Sequence, residues 1–286
     1  MQTASYYRKQ SKELLKGNWG SAIGASLIMY LILSIVSCTV IGTLFIMPFY
    51  LALMCLFLEL VRGKKVDFVK DVWSLGGKKY VPFLEMSVII SFIQLAIWTV
   101  AYCVYFIILF LSSLATALSG GLGILLTLLA CIPIIIGLII YFILLYKWML
   151  PQYISLDDSK LNGWQALKLS SKMVKGNFWK LLWLHMSINL LPAVLYLVMV
   201  FVLLLLSFSV IAMFVTIPML IIVSLAYVAL MIVYYQPRTY AAIALFYEDL
   251  RAESPYALEK EEDVVDLKEE PKVLAEVEAA IEVEEK

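Results

Sequence analysis

Three stretches of this chain contain no Asp, Glu, Lys or Arg: Gly17–Leu58, Met86–Tyr146 and Leu181–Pro237, of 42, 61 and 57 residues. A helix needs about 20 apolar residues to cross a bilayer. Length alone therefore allows two crossings in the first stretch and two or three in each of the others. The remaining composition agrees. Hydrophobic residues make up 63% of the chain and charged ones 15%, against about 45–50% and 25% in soluble domains. A mean hydropathy of +0.92 points the same way. The expectation is a polytopic membrane protein.

The basic residues decide the number of crossings. They flank every apolar stretch: Arg8, Lys9, Lys12 and Lys16; Arg62 to Lys79; Lys147 to Lys180; then Arg238 and Arg251. Cytoplasmic loops collect Lys and Arg. If all four flanks are cytoplasmic, each stretch must go out and return. The expected fold is therefore all-α: a polytopic membrane helix bundle of six transmembrane helices arranged as three hairpins. Amphipathic helices lie on the cytoplasmic face, and both termini are cytoplasmic. The expected divisions are an N-terminal amphipathic helix over 1–18, a transmembrane domain over 19–251 with a surface helix at 159–175, and an acidic, disordered tail over 252–286. The zero net charge hides this segregation. The tail holds 13 acidic residues against 4 Lys, a balance of −9, and the rest of the chain balances at +9.

Two short echoes mark where surface helices become spanning ones: Lys16-Gly17-Asn18-Trp19 and Lys175-Gly176-Asn177-Phe178. Lys in the last turn complements the helix dipole. Gly ends the helix in the left-handed conformation. Asn can cap the next helix, and Trp or Phe suits the bilayer interface. Before the second joint, Asn162 is the expected N-cap of an amphipathic helix. Its expected apolar face is Leu161, Trp164, Leu167, Ser171 and Val174, with Lys160, Lys168, Lys172 and Lys175 opposite. This pattern fits anionic lipid headgroups or packing on neighbouring helix ends.

Further expectations follow along the chain. Outside turns fall near Thr39–Thr43, at the Ser- and Gly-rich Ser112–Gly123, and between Leu206 and Pro218. A short surface helix is expected in Arg62–Tyr80. The exits of the first and last hairpins share a spacing: Pro48, Ala52, Phe57, Glu59 and Arg62 against Pro237, Ala241, Phe246, Glu248 and Arg251. The joints and exits together suggest an internal repeat around a central helix pair.

The run Ala166–Asn177 resembles a bacterial integral-membrane family catalogued as domain of unknown function 975. So do Leu15–Gly20, the aromatic approach Tyr141, Tyr146, Lys147 and Tyr153, and the closing Pro237, Ala242 and Phe246–Leu250. The resemblance covers about residues 5–251. In the helix after the second outside turn the sequence departs from the family's Pro-Gly, because Ile134 follows Pro133. The family implies a multi-pass protein of the bacterial plasma membrane. It supplies no activity, so no catalytic residue is carried over.

Motifs for chemistry are missing from the sequence: no phosphate loop, no His-Glu-x-x-His, no Cys-x-x-Cys and no nucleophile elbow. Cys38, Cys55, Cys103 and Cys131 lie in apolar runs without metal-ligand spacing. The polar groups at membrane depth are His185 and Asn189, one helical turn apart, and Gln94. Glu59, Glu85 and Glu248 sit near the basic ends. No catalytic, metal or cofactor site is assigned, and no enzyme is expected. The first expectation is a non-enzymatic membrane assembly or regulatory module that docks a protein partner through its acidic tail. The alternative is a transporter or permeation subunit for a lipid-like or amphiphilic substrate, with a cavity lined by His185, Asn189 and Gln94. An enzyme acting on headgroups through Glu59, Asp157, Asp158 or Glu248 ranks last. The expected partners are the bilayer and its anionic headgroups, not nucleic acid.

Overall fold

A computed structural model describes residues 2–36, 40–118, 120–158, 160–206 and 210–253. The expected acidic tail from 254 onward lies outside the described residues, as do positions 37–39 and 207–209 in the first and third expected turns. All regular structure among the described residues is helical. The chain forms α1 (Ala4–Leu14), α2 (Trp19–Val36), α3 (Val40–Val61), α4 (Phe68–Lys78), α5 (Tyr80–Leu118) and α6 (Gly120–Lys147). Then follow α7 (Pro151–Asp157), α8 (Gly163–Val174), α9 (Phe178–Leu206), α10 (Val210–Leu230) and α11 (Gln236–Glu253). A π-helical turn, Met231–Tyr235, joins α10 to α11 and ends two residues before Pro237.

The short helices carry their own start signals. The Thr3 side chain accepts from Tyr6 N–H, and the Asp67 side chain accepts from Val69 N–H. Asn162 and Gln165 form a reciprocal capping box at the start of α8.

Among the described residues five helical segments are long and apolar enough to cross a membrane: Trp19–Val36, Tyr80–Thr116, Leu125–Asp157, Phe178–Leu205 and Phe214–Glu253. A shorter apolar run, Phe45–Val61, lies in α3. The buried core is gathered at the basic end of the bundle. It draws on α1, α2, the second half of α3, α4, the start of α5, the end of α6, α7, α8, the start of α9, and α11. The long helices behave differently. Phe106, Leu128, Leu191 and Phe214 all stand exposed. Large apolar faces of this extent call for a non-aqueous surround.

Two expectations are corrected. Ser112–Leu118 is helical, and so is the chain from Gly120. Its hydroxyls do not break the helix, because they bond back to carbonyls within it: Ser113 Oγ to Phe110 O at 2.7 Å and Thr116 Oγ1 to Ser112 O at 2.8 Å. Ser112 Oγ and Thr127 Oγ1 also bond across to α6 at 2.6 Å. The apolar face of α8 is rotated from the one expected. Ala166, Leu167, Ser170, Met173 and Val174 are buried, while Trp164 is exposed. The reason is its seat on α5 and α7. The Gly163 N–H donates to Glu85 Oε2 at 2.8 Å, and a Cβ on Gly163 would stand 2.8 Å from Met86 N. Helix α7 is an addition. Pro151 opens it at the first helical turn, where its missing N–H costs nothing.

Candidate functional site

The two joints have the same backbone geometry. Gly17 has φ +87° and Gly176 φ +91°. Lys16 N bonds Glu13 O and Lys175 N bonds Lys172 O, both at 3.1 Å; Asn18 N bonds Leu15 O at 2.9 Å, and Asn177 N bonds Val174 O at 3.0 Å. The carbonyls of Asn18 and Asn177 accept the first bonds of α2 and α9, from Ala22 and Leu181, each at 3.0 Å. Their surroundings differ. Trp19 stacks on Tyr234 with ring centroids 5.9 Å apart, and the Arg238 guanidinium lies over the other ring of that pair, Tyr234, at 4.8 Å. Phe178 packs edge-on against Tyr146.

The ends of α3 and α11, expected from the sequence as matching exits, converge on one carboxylate. Arg62 donates to both oxygens of Asp157, at 2.7 and 2.9 Å, and to Glu248 at 2.5 Å. Arg251 reaches Asp157 at 3.2 Å, and Tyr247 Oη donates to the same carboxylate at 2.8 Å. Burial works against the Arg62 charge, but hydrogen bonds to Asp157 and Glu248 outweigh it and raise its pKa above the ordinary value. Beside this clasp, Tyr7 Oη donates to Asp249 at 2.6 Å and so ties α1 to α11. Burial, and then that bond, push the Tyr7 phenol upward. Glu59 meets Lys64 at 2.9 Å, and Asp158 accepts from the Lys160 N–H at 3.0 Å. The four carboxylates considered for headgroup chemistry are thus each engaged by a cation or a backbone donor, and they do not form one constellation.

A cavity of about 360 Å³ opens between α3, α6, α7, α9 and α11. His185 and Asn189 line it; Gln94, on α5, is not among its lining residues. Leu51, Met54, Leu145, Trp148, Met149 and Ile243 supply apolar wall, and no Asp, Glu, Lys or Arg contributes. Its polar side is a network. Tyr30 and Tyr240 both donate to Gln236 Oε1, so Tyr50 donates in turn to Tyr240. The Asn189 amide donates to Thr239 Oγ1 at 3.2 Å and to His185 O at 3.0 Å. His185 Nδ1 is buried with no hydrogen-bond partner among the described residues. The π turn runs directly into Gln236, and its own Met231 lines the cavity with Gln236, Thr239 and Tyr240. Such turns are frequent at functional sites.

Sequence reasoning missed most of this network. Gln236 lies inside the charge-free stretch Leu181–Pro237, so the criterion that selected His185 and Asn189 could also have selected it. Tyr50, Tyr240 and Gln152 gave no comparable signal, because Tyr and Gln near helix ends are ordinary. Among the described residues no group of three or more His, Cys, Asp or Glu is placed to hold a metal.

An all-helical bundle with several apolar helices of spanning length is of the membrane-protein class. The chain belongs to the family described as Protein of unknown function (DUF975), which matches residues 1–254. No curated protein and no solved structure matches it.

Proposed function

We propose that the chain is a six-span protein of the bacterial plasma membrane with both termini cytoplasmic, and that its cavity receives a lipid-like or amphiphilic molecule. It binds this molecule, or hands it across the bilayer, without altering it chemically. The cavity carries this reading. Its volume is that of a small-molecule site, its walls are apolar, and no Asp, Glu, Lys or Arg stands on its polar edge. This suits a molecule with a hydrogen-bonding head and an apolar body. Helix α3, 22 residues long, supplies the sixth span. Three out-and-back hairpins then leave every Lys and Arg on the cytoplasmic side. Under this topology the two joints and exits are parallel repeats around the α5–α6 pair.

A second reading, an assembly or regulatory module, is favoured by charge. A tail at −9 faces a body at +9, which suits docking of a partner or of the body itself.

The test is purification of the full-length protein in mild detergent, with mass spectrometry of what accompanies it. A defined amphiphile is expected with the wild type. It is expected to be lost from Met54→Trp, which fills the cavity, and from Asn189→Leu, which removes its amide. Both variants should keep the wild-type elution volume. Wild-type retention in both variants contradicts the cavity reading. A near-stoichiometric protein that disappears from a chain ending at Arg251 would favour the second reading instead.

A further inference from the structure

The second joint carries a feature independent of the cavity. Lys168 and Lys172 stand four residues apart on one face of α8, and Lys175 follows as its C-cap. Lys147 ends α6, and its carbonyl accepts from Ser170 Oγ at 2.7 Å, which fixes that helix end against α8. Between them lies a pocket of about 640 Å³ lined by these four lysines and Ser171. Ile143 and Phe178 form part of its apolar wall.

No carboxylate lines this pocket. Among the described residues none of its four ammonium groups is ion-paired, whereas Arg62, Lys64, Lys70 and Arg251 each face an acid. Four like charges around one concavity repel each other, and an anion there would relieve the repulsion. The depth is also informative. Gly176 turns the chain from α8 into the apolar α9, and Trp179 and Trp183 project outward just beyond it. Exposed Trp marks the headgroup level. A ligand seated here would have its charge among the lysines and its apolar part along Ile143 and Phe178.

We infer that this pocket binds the phosphate headgroup of an anionic phospholipid. The same phosphate chemistry could come from a soluble anion, but the apolar wall at headgroup depth favours a phosphate that carries acyl chains.

The test uses full-length protein in detergent, titrated with phosphatidylglycerol, phosphatidylcholine or inorganic phosphate and read by native mass spectrometry. A lysine near an anionic surface is worth about fivefold in affinity, so K168Q/K172Q/K175Q should weaken phosphatidylglycerol binding on the order of a hundredfold. K64Q/K65Q/K70Q removes the same charge elsewhere and should cost far less. K168R/K172R/K175R should keep binding. Lys147→Gln alone should weaken it about fivefold, and it serves if the triple variant elutes abnormally. Equal losses in the two glutamine triples would reduce the effect to diffuse charge and overturn the site. So would unchanged binding in the pocket variants, or equal binding of phosphatidylcholine. Displacement by millimolar inorganic phosphate would reassign the pocket to a soluble anion.

Discussion

The two Lys-Gly-Asn joints share a backbone and differ in everything around it. At Gly17 and Gly176 the φ values and the flanking hydrogen bonds are nearly the same. Yet α1, before the first joint, lies on α11 and α9, held by Tyr7 to Asp249 and by Arg8 to the carbonyl of Ser187 at 3.3 Å. Helix α8, before the second, lies on α5 and α7 through Glu85 and Gly163. Four local residues specify the turn. Where the preceding helix then lies is set by contacts, apolar as well as polar, made far away in sequence. The exits repeat the lesson: Arg62 and Arg251 occupy equivalent spacings and share Asp157, but only Arg62 binds it with two donors and adds Glu248.

The largest expected effect breaks the shared element. Asp157→Ala leaves Arg62, Arg251 and Tyr247 without their common acceptor. Breaking a buried ion pair costs about 3–5 kcal/mol, and partial exposure of Arg62 brings the expected loss to about 2–3 kcal/mol. Chemical unfolding in detergent measures it; a loss near zero would show that the exits do not depend on each other.

The next effect separates the two arginines. Arg62→Ala should cost about 1–2 kcal/mol, while Arg251→Ala, a longer contact from a half-exposed side chain, should cost under about 0.5 kcal/mol. Equal values in the same unfolding assay would remove the asymmetry between the exits.

Gly17→Ala and Gly176→Ala sharpen the comparison from the other side. Neither site has an atom within 4 Å of a Cβ placed there, so only backbone strain acts. Each should cost about 1–2 kcal/mol, and the two costs should match. Unequal losses would mean that the joints differ in more than their surroundings.

Tyr7→Phe removes one hydrogen bond and should cost about 1 kcal/mol, at or below the cost of either glycine substitution. No counterpart on α8 should respond in the same way. Limited proteolysis near residue 16 would report whether α1 has come away from α11.

Much of the bundle was legible because the bilayer imposes strong patterns. Charge-free stretches located the long helices, and Lys-Gly-Asn located both turns from a short helix into a long apolar one, with Trp19 and Phe178 as the first residues of α2 and α9. What escaped depends on packing. Ser112–Leu118 reads as a turn by composition, yet the hydroxyls of Ser113 and Thr116 bond back within the helix. The buried face of α8 could not be chosen from its own residues, because Ala166, Ser170 and Met173 are buried by α5 and α7 rather than by their own hydrophobicity. For the cavity, His185 and Asn189 were visible as polar residues at depth. Gln94 met the same criterion and lies elsewhere, since a single helix does not show which face meets which neighbour.

The topology is the claim on which the rest stands, and cysteine labelling tests it most directly. Cys38, Cys55, Cys103 and Cys131 are first replaced by Ala. Single cysteines are then introduced as Lys16→Cys, Lys175→Cys and Ser119→Cys, and intact cells are treated with a membrane-impermeant maleimide. The expected result is labelling of Ser119→Cys alone, with the other two reacting only after the membrane is opened. Labelling of either joint from outside would place a basic cluster across the membrane, and would contradict the three-hairpin account.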